Sequence, residues 1–83
     1  MALYMDVHLE VEGLTAEAVE DAHTKDLAVQ DAYGVKYLKY WYDDGSGRVF
    51  CLVEAPSKEA ASAVHRQAHG LVADELVQVV EGR

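Results

Sequence analysis

Apolar and polar residues alternate at the start of the chain. Every second residue from Leu3 to Val11 is apolar, and the residues between them include Asp6 and His8. Successive side chains of a β-strand point to opposite faces, so this pattern predicts a half-buried strand. We expect the apolar row to lie under a layer of helices, with Leu9 buried, and the row of Asp6 and His8 to face the other way.

Two later segments have the spacing of amphipathic helices, with apolar residues three or four apart. The first spans residues 15–33. The second begins at Ser57, whose hydroxyl can cap the first turn, and ends at Gly70, which can adopt the left-handed conformation that terminates a helix. Val64 and Ala68 belong to the apolar stripe of this second helix and are predicted to be buried.

Three further segments have the character of strands. Residues 35–42 and 48–54 are rich in β-branched and aromatic residues and are joined by a short Gly-containing turn, and residues 75–80 form a last apolar segment. The order strand, helix, strand, strand, helix, strand predicts the ferredoxin-like split βαβ fold of the α+β class. We expect one domain over residues 1–83, with an antiparallel sheet and both helices on one of its faces.

The second face of such a sheet has no helices over it. Candidates to lie there are Tyr4, one row of Tyr37 and Trp41 or of Tyr40 and Tyr42, and Phe50 or Cys51. Because aromatic residues on an open sheet are normally covered, we expect a homodimer that buries this face.

Composition restricts the partners. The chain has 15 acidic and 7 basic residues and a net charge of −8, which disfavours binding to nucleic acid and attracts cations. A single cysteine suits a reducing compartment. No apolar run approaches the ~18 residues of a membrane span, and the N-terminus does not resemble a signal peptide. These features predict a cytoplasmic protein that does not bind membranes.

Two pairs of residues have the spacing of metal ligands. His65 and His69 lie four apart on the second predicted helix, so two imidazoles can approach one ion, although such a pair can equally be a solvated helix flank. Asp6 and His8 lie two apart on one face of the first strand, where a wet surface is the usual explanation. The two pairs could form separate sites, or one site completed by a partner chain.

Three other residues are weaker candidates. His23 lies one turn from Asp26, which could orient its imidazole, although a surface charge pair is the simpler reading. Cys51 is equally a small buried apolar residue, and Glu54 is equally a surface acid. Together these residues favour a divalent metal such as nickel, zinc or copper over nucleophilic catalysis, for which no motif is present.

Several stretches of the chain resemble a family of small bacterial nickel-binding, nickel-responsive proteins that was long known only as a domain of unknown function. The stretches are Asp6–His8, His23–Asp26, Tyr40–Trp41, Phe50–Pro56 and His65–Gly70. The resemblance implies a ferredoxin-like homodimer that binds nickel at its surface for sequestration, detoxification or response.

The alternative is a small dimeric barrel enzyme, similar to monooxygenases or isomerases, with a pocket between helices and sheet. We expect a nickel-binding protein without enzymatic activity, because so short a chain has little volume for a catalytic pocket.

Overall fold

The computed structural model describes residues 1–82 and has the predicted ferredoxin-like α+β architecture. The elements are β1 (Ala2–His8), α1 (Ala16–Val29) with a 3₁₀ turn (Gln30–Tyr33), β2 (Lys36–Asp43), β3 (Arg48–Ala55), α2 (Lys58–Ala68) and β4 (Glu75–Val79). The strands form an antiparallel sheet in the order β2-β3-β1-β4. Both helices pack on the same face of this sheet and contact each other.

The helix boundaries follow from their caps. The Thr15 hydroxyl accepts a hydrogen bond from the Ala18 amide, and the Ser57 hydroxyl accepts one from the Ala60 amide, each at 3.1 Å. Each contact satisfies one amide that has no partner within its helix. Gly70 follows α2 with φ of +81°, a left-handed conformation that favours glycine. α2 therefore begins and ends where the sequence predicts.

The prediction of which face of β1 lies under the helices was wrong. Tyr4, Asp6 and His8 are buried beneath the helices, whereas Leu9 lies beyond the end of β1 and is 38% exposed. The apolar row is only partly buried, on the open face of the sheet. Val64 is fully buried as predicted, and Ala68 is partly buried. The pattern gave the wrong face because alternation distinguishes two rows without showing which of them the helices cover, and here the helices cover the row that carries the ionisable groups.

The prediction for the open face holds only in part. Tyr4, Tyr37 and Cys51 are buried on the helix side. The register of the sheet places Trp41 beside Phe50 on the open face. The open face also carries alternate apolar residues of β1, β3 and β4, which are Leu3, Met5, Val7, Leu52, Val77 and Val79. This apolar surface therefore extends over all four strands.

No helix within residues 1–82 combines the length and the apolar character that crossing a membrane requires.

Candidate metal centre

Four potential metal ligands meet beneath the helices. Asp6 and His8 come from β1, Cys51 from β3 and His65 from α2, and all four side chains are buried. One donor atom of each lies within 4.8 Å of the donor atoms of the other three. We refer to these four residues as the Asp6 cluster. A carboxylate, a thiol and two imidazoles form a donor set suited to a divalent transition metal.

The fold explains why these residues meet. Asp6 is directly opposite Cys51 in the register of β1 and β3, so their side chains are cross-strand neighbours on one face. His8 lies two residues along the same strand and therefore on that face. His65 follows Val64 in α2 and lies four residues after Ala61, which is fully buried against the sheet. His65 is 2% exposed, so it belongs to the packed face of α2 and not to its flank.

Each ring nitrogen of His65 faces a different carboxylate. Nδ1 lies 2.8 Å from Asp26 Oδ1 in a hydrogen bond, and Nε2 lies 2.9 Å from Asp6 Oδ2. The second contact is an ion pair without hydrogen-bond geometry, because the ring N–H direction does not point at the oxygen. Asp26 thus fixes the orientation of the His65 ring and leaves Nε2 directed into the Asp6 cluster.

Two buried atoms of the Asp6 cluster have no hydrogen-bond partner within residues 1–82: Asp6 Oδ1 and His65 Nε2. The other oxygen of Asp6 accepts a hydrogen bond from the Tyr37 hydroxyl at 3.0 Å. Asp6 Oδ1 lies 3.5 Å from His8 Nε2, which is too long for a good hydrogen bond. Buried polar atoms are normally paired, so two unpaired atoms in one cluster indicate a missing partner such as an ion.

The electrostatics of the cluster couple an imidazole to two carboxylates. Burial alone would lower the pKa of His65, but its contacts with Asp26 and Asp6 outweigh burial and raise that pKa to about 9. Burial alone would raise the pKa values of Asp6 and Asp26, but the contacts with the histidines hold both below the usual range. Without a metal, His65 is therefore protonated at neutral pH and both carboxylates are ionised.

Two neutral groups complete the cluster. Burial raises the pKa of the Cys51 thiol, and the nearby charge of Asp6 raises it further. The same two causes raise the pKa of the Tyr37 hydroxyl. Tyr37 therefore stays a hydrogen-bond donor to Asp6, whereas Cys51 would give up its proton only to a cation that binds its sulfur.

The remaining sequence-predicted ligands lie outside the Asp6 cluster. His69 is partly buried and its Nε2 lies 3.0 Å from Asp26 Oδ1, so Asp26, His65 and His69 form a second group of potential ligands. The ring of His23 stacks against Tyr40 with centroids 4.8 Å apart. Glu54 is partly buried on the open face of the sheet, the opposite side from the cluster. Neither His23 nor Glu54 belongs to either group.

Sequence reasoning missed the roles of Asp26 and Tyr37. Asp26 appeared only as a partner for His23, but it contacts His65 and His69 instead. A signal was available, because Asp26 lies seven residues after Val19 and so shares the buried stripe of α1. An acid at that position requires a buried partner. No comparable signal distinguished Tyr37 from the other tyrosines of β2.

A cavity opens next to the cluster, between α1, the sheet and the start of the loop after α2. Its volume is about 140 Å³, and its walls are mainly apolar. His8, Cys51, His65 and His69 line it together with Asp26. The cluster is therefore buried but adjoins a space that a small molecule or ion can enter.

Comparisons with known proteins agree with this architecture. Residues 4–79 match the family described as "Nickel responsive protein SCO4226-like". A solved structure, the crystal structure of SCO4226 from Streptomyces coelicolor A3(2), is similar with a TM-score of 0.92 and 40% sequence identity, over 99% of this chain and 100% of that chain. A comparison with curated proteins gave no match. The chain therefore belongs to the family of nickel-responsive proteins similar to SCO4226.

Proposed function

We propose that this protein binds nickel in the Asp6 cluster and acts as a non-enzymatic protein of nickel sequestration or response. The observation that carries the proposal is that two buried atoms among four convergent donors, Asp6 Oδ1 and His65 Nε2, have no hydrogen bond within residues 1–82. A divalent cation there would receive a lone pair from each. The family's description supplies the preference for nickel among the metals that this donor set suits.

Charge supports the same assignment. The Asp6 carboxylate and a Cys51 thiolate would together balance the two positive charges of a divalent ion. Asp26 would hold the Nδ1 proton of His65 while Nε2 binds the metal, the usual arrangement of a ligating histidine. A reduced thiol is required, and we therefore place this function in the cytoplasm.

We further propose that the protein is a homodimer in which a second copy covers the open face of the sheet. That face presents apolar side chains from all four strands, and Trp41 is 49% exposed. Lys39, Glu54 and Glu75 lie on the same face, and exposed apolar surfaces accompanied by such polar residues are typical interaction surfaces. Because the open face and the Asp6 cluster lie on opposite sides of the sheet, each protomer would carry a complete cluster.

Calorimetric titration of the metal-free protein with nickel, zinc, copper and cobalt tests the metal assignment. The informative variants are His8→Gln and Cys51→Ser, and His23→Gln is the matched control because His23 borders the same cavity outside both ligand groups. We expect the first two to weaken nickel binding by at least about 100-fold, because the loss of a ligand costs at least as much as the loss of an outer-sphere partner, and we expect the control to leave binding unchanged. Equal affinity in all four proteins would contradict the assignment.

The enzyme alternative retains one supporting observation. A catalytic site needs a concave, largely apolar cavity with a few convergent polar groups, and the cavity beside the Asp6 cluster has that form. The expectation that the chain is too short for a pocket was therefore wrong. Turnover of a small molecule by the nickel-loaded protein, lost in His65→Gln, would favour this alternative.

A further inference from the structure

The cavity beside the Asp6 cluster results from small residues on α1. Ala18 and Ala22 of α1 line it, as do Val49 and Cys51 of β3. Protein interiors are normally close-packed, and larger residues at these two helix positions would fill the space. Because the walls are mainly apolar, the cavity suits an organic molecule better than a chain of water molecules.

The volume limits the size of that molecule. The cavity measures about 140 Å³. In another protein, an engineered apolar cavity of about 150 Å³ binds benzene. A single six-membered ring with one small substituent is therefore near the upper limit here, and a fused two-ring molecule would project out of the cavity.

The rings that line the cavity favour an aromatic occupant. His23 and Tyr40 pack against each other along one wall in a tilted arrangement, with ring centroids 4.8 Å apart. His8 and His69 each pack against His65, at centroid distances of 5.2 Å and 4.8 Å. A planar ring can contact such side chains in offset or edge-to-face arrangements, which aliphatic molecules cannot reproduce.

Charge limits the substituents that the cavity accepts. His65 lines the cavity, but its Nε2 atom is buried and lies 2.9 Å from Asp6 Oδ2, so that nitrogen is not open to an occupant. A carboxylate is disfavoured, because Asp26 and Glu12 also line the cavity and repel an anion.

We propose that the cavity is a binding site for a neutral, single-ring aromatic molecule, with the ring between α1 and the sheet. This inference goes beyond the proposed nickel site and does not depend on it, since the apolar walls provide the contact area whether or not a metal is bound. It assigns a small-molecule ligand to a protein for which the proposed function names only an ion.

Phenol is the probe, titrated into the ¹⁵N-labelled, metal-free protein and followed by two-dimensional NMR. The test variant is Ala22→Leu, which fills the cavity. The matched control is Ala28→Leu, the same substitution at an exposed position of the same helix. We expect saturable shifts at residues lining the cavity, an affinity about tenfold or more weaker in Ala22→Leu because leucine occupies the ring's position, and no change in Ala28→Leu.

Several results would overturn the proposal: shifts that do not saturate, equal affinity in both leucine variants, tighter binding of benzoate than of phenol, or phenol binding only after nickel is added. The spectrum of each variant reports its folding directly. If Ala22→Leu does not fold, Ala18→Leu replaces it, because Ala18 lies one helical turn away and also lines the cavity. We expect the same loss of phenol affinity in Ala18→Leu. Nickel titration of these leucine variants separates the two sites, because we expect them to bind nickel as the unmodified chain does.

Discussion

At the scale of single residues, the central feature is one imidazole between two buried carboxylates. Asp6 is 1% exposed, and Asp26 is also buried. His65 contacts both carboxylates, and their other salt-bridge partners are His8 and His69. No lysine or arginine within residues 1–82 forms a salt bridge with either carboxylate. Buried charges that lose their partner are strongly destabilising.

Replacing His65 therefore affects stability as well as metal binding. We expect His65→Gln to lower the free energy of unfolding of the metal-free protein by about 3–5 kcal/mol, because two carboxylates lose their cationic neighbour. Urea denaturation at neutral pH measures this change. His23→Gln is the control and should cost about 1 kcal/mol or less, since it loses only ring stacking. Equal stabilities of the two variants would show that His65 carries no charge in the folded protein.

The raised pKa of His65 predicts how nickel affinity changes with pH. A histidine of ordinary pKa would lose its affinity for a metal as the pH falls through about 6.5. Because the folded protein holds the proton on His65 up to a pKa of about 9, nickel must displace that proton at every pH below this value. Nickel affinity should therefore rise with pH, and the contribution of His65 to this rise should end only above pH 9.

Calorimetry at several pH values between 6 and 9 tests this dependence. Each displaced proton should change the dissociation constant by about tenfold per pH unit, and Cys51 contributes a second proton if its sulfur binds. We expect Cys51→Ser to reduce the slope by one proton. A dissociation constant that becomes independent of pH above 6.5 would contradict the coupling of His65 to its carboxylates.

At the scale of elements, α2 positions His65 against the sheet. The side chain of Ser57 caps the N-terminus of this helix. The Ser57 hydroxyl accepts a hydrogen bond from the Ala60 amide, with 3.1 Å between oxygen and nitrogen. We expect Ser57→Ala to lower the free energy of unfolding by about 1 kcal/mol, as measured by urea denaturation. Ser62→Ala is the control within the same helix and should be neutral or slightly stabilising, since alanine favours helix interiors. A loss in Ser62→Ala equal to that in Ser57→Ala would mean that the cap is not the cause.

The elements were largely predictable from the sequence, because their signals are local. The caps at Thr15 and Ser57 and the left-handed Gly34 and Gly70 mark the helix boundaries within a residue or two. The end of β1 was not predicted, since the alternation continues to Val11 but pairing with β3 stops at His8. Beyond His8 the chain is held instead by loop contacts, such as the Leu9 amide donating to Asp74.

The face of β1 and the composition of the site could not be predicted from local signals. Alternation shows that two rows differ but not which row the helices cover. Asp6, Cys51 and His65 are far apart in the chain, and only the strand register and the packing of α2 bring them together. Residue types identified most of the cluster, whereas the contacts of Asp26 with His65 and His69 depend on tertiary structure.

At the scale of the whole molecule, the two faces of the sheet have separate roles. The helix face holds the Asp6 cluster, and the open face carries the apolar residues proposed to bind a second copy. Leu52 is partly buried near the middle of the open face, next to Met5 of β1. A charge at its position would face the partner's apolar surface and oppose association.

Light scattering coupled to size exclusion tests the assembly. The 9.1 kDa chain should elute with about twice that mass at micromolar concentration, which corresponds to a stable interface of standard size. We expect Leu52→Asp to shift the mass to that of one chain. Leu27→Asp, at an exposed leucine of α1, should remain dimeric. A single-chain mass for the unmodified protein would refute the dimer.

The position of nickel in a crystal of the nickel-loaded protein tests the metal assignment most directly. An anomalous difference map recorded at the nickel absorption edge locates the ion without reference to the protein's own density. We predict one peak per chain within coordination distance of Asp6 Oδ1 and His65 Nε2, inside the buried cluster. Peaks only at exposed carboxylates or histidines on the molecular surface, with none in the Asp6 cluster, would contradict the account.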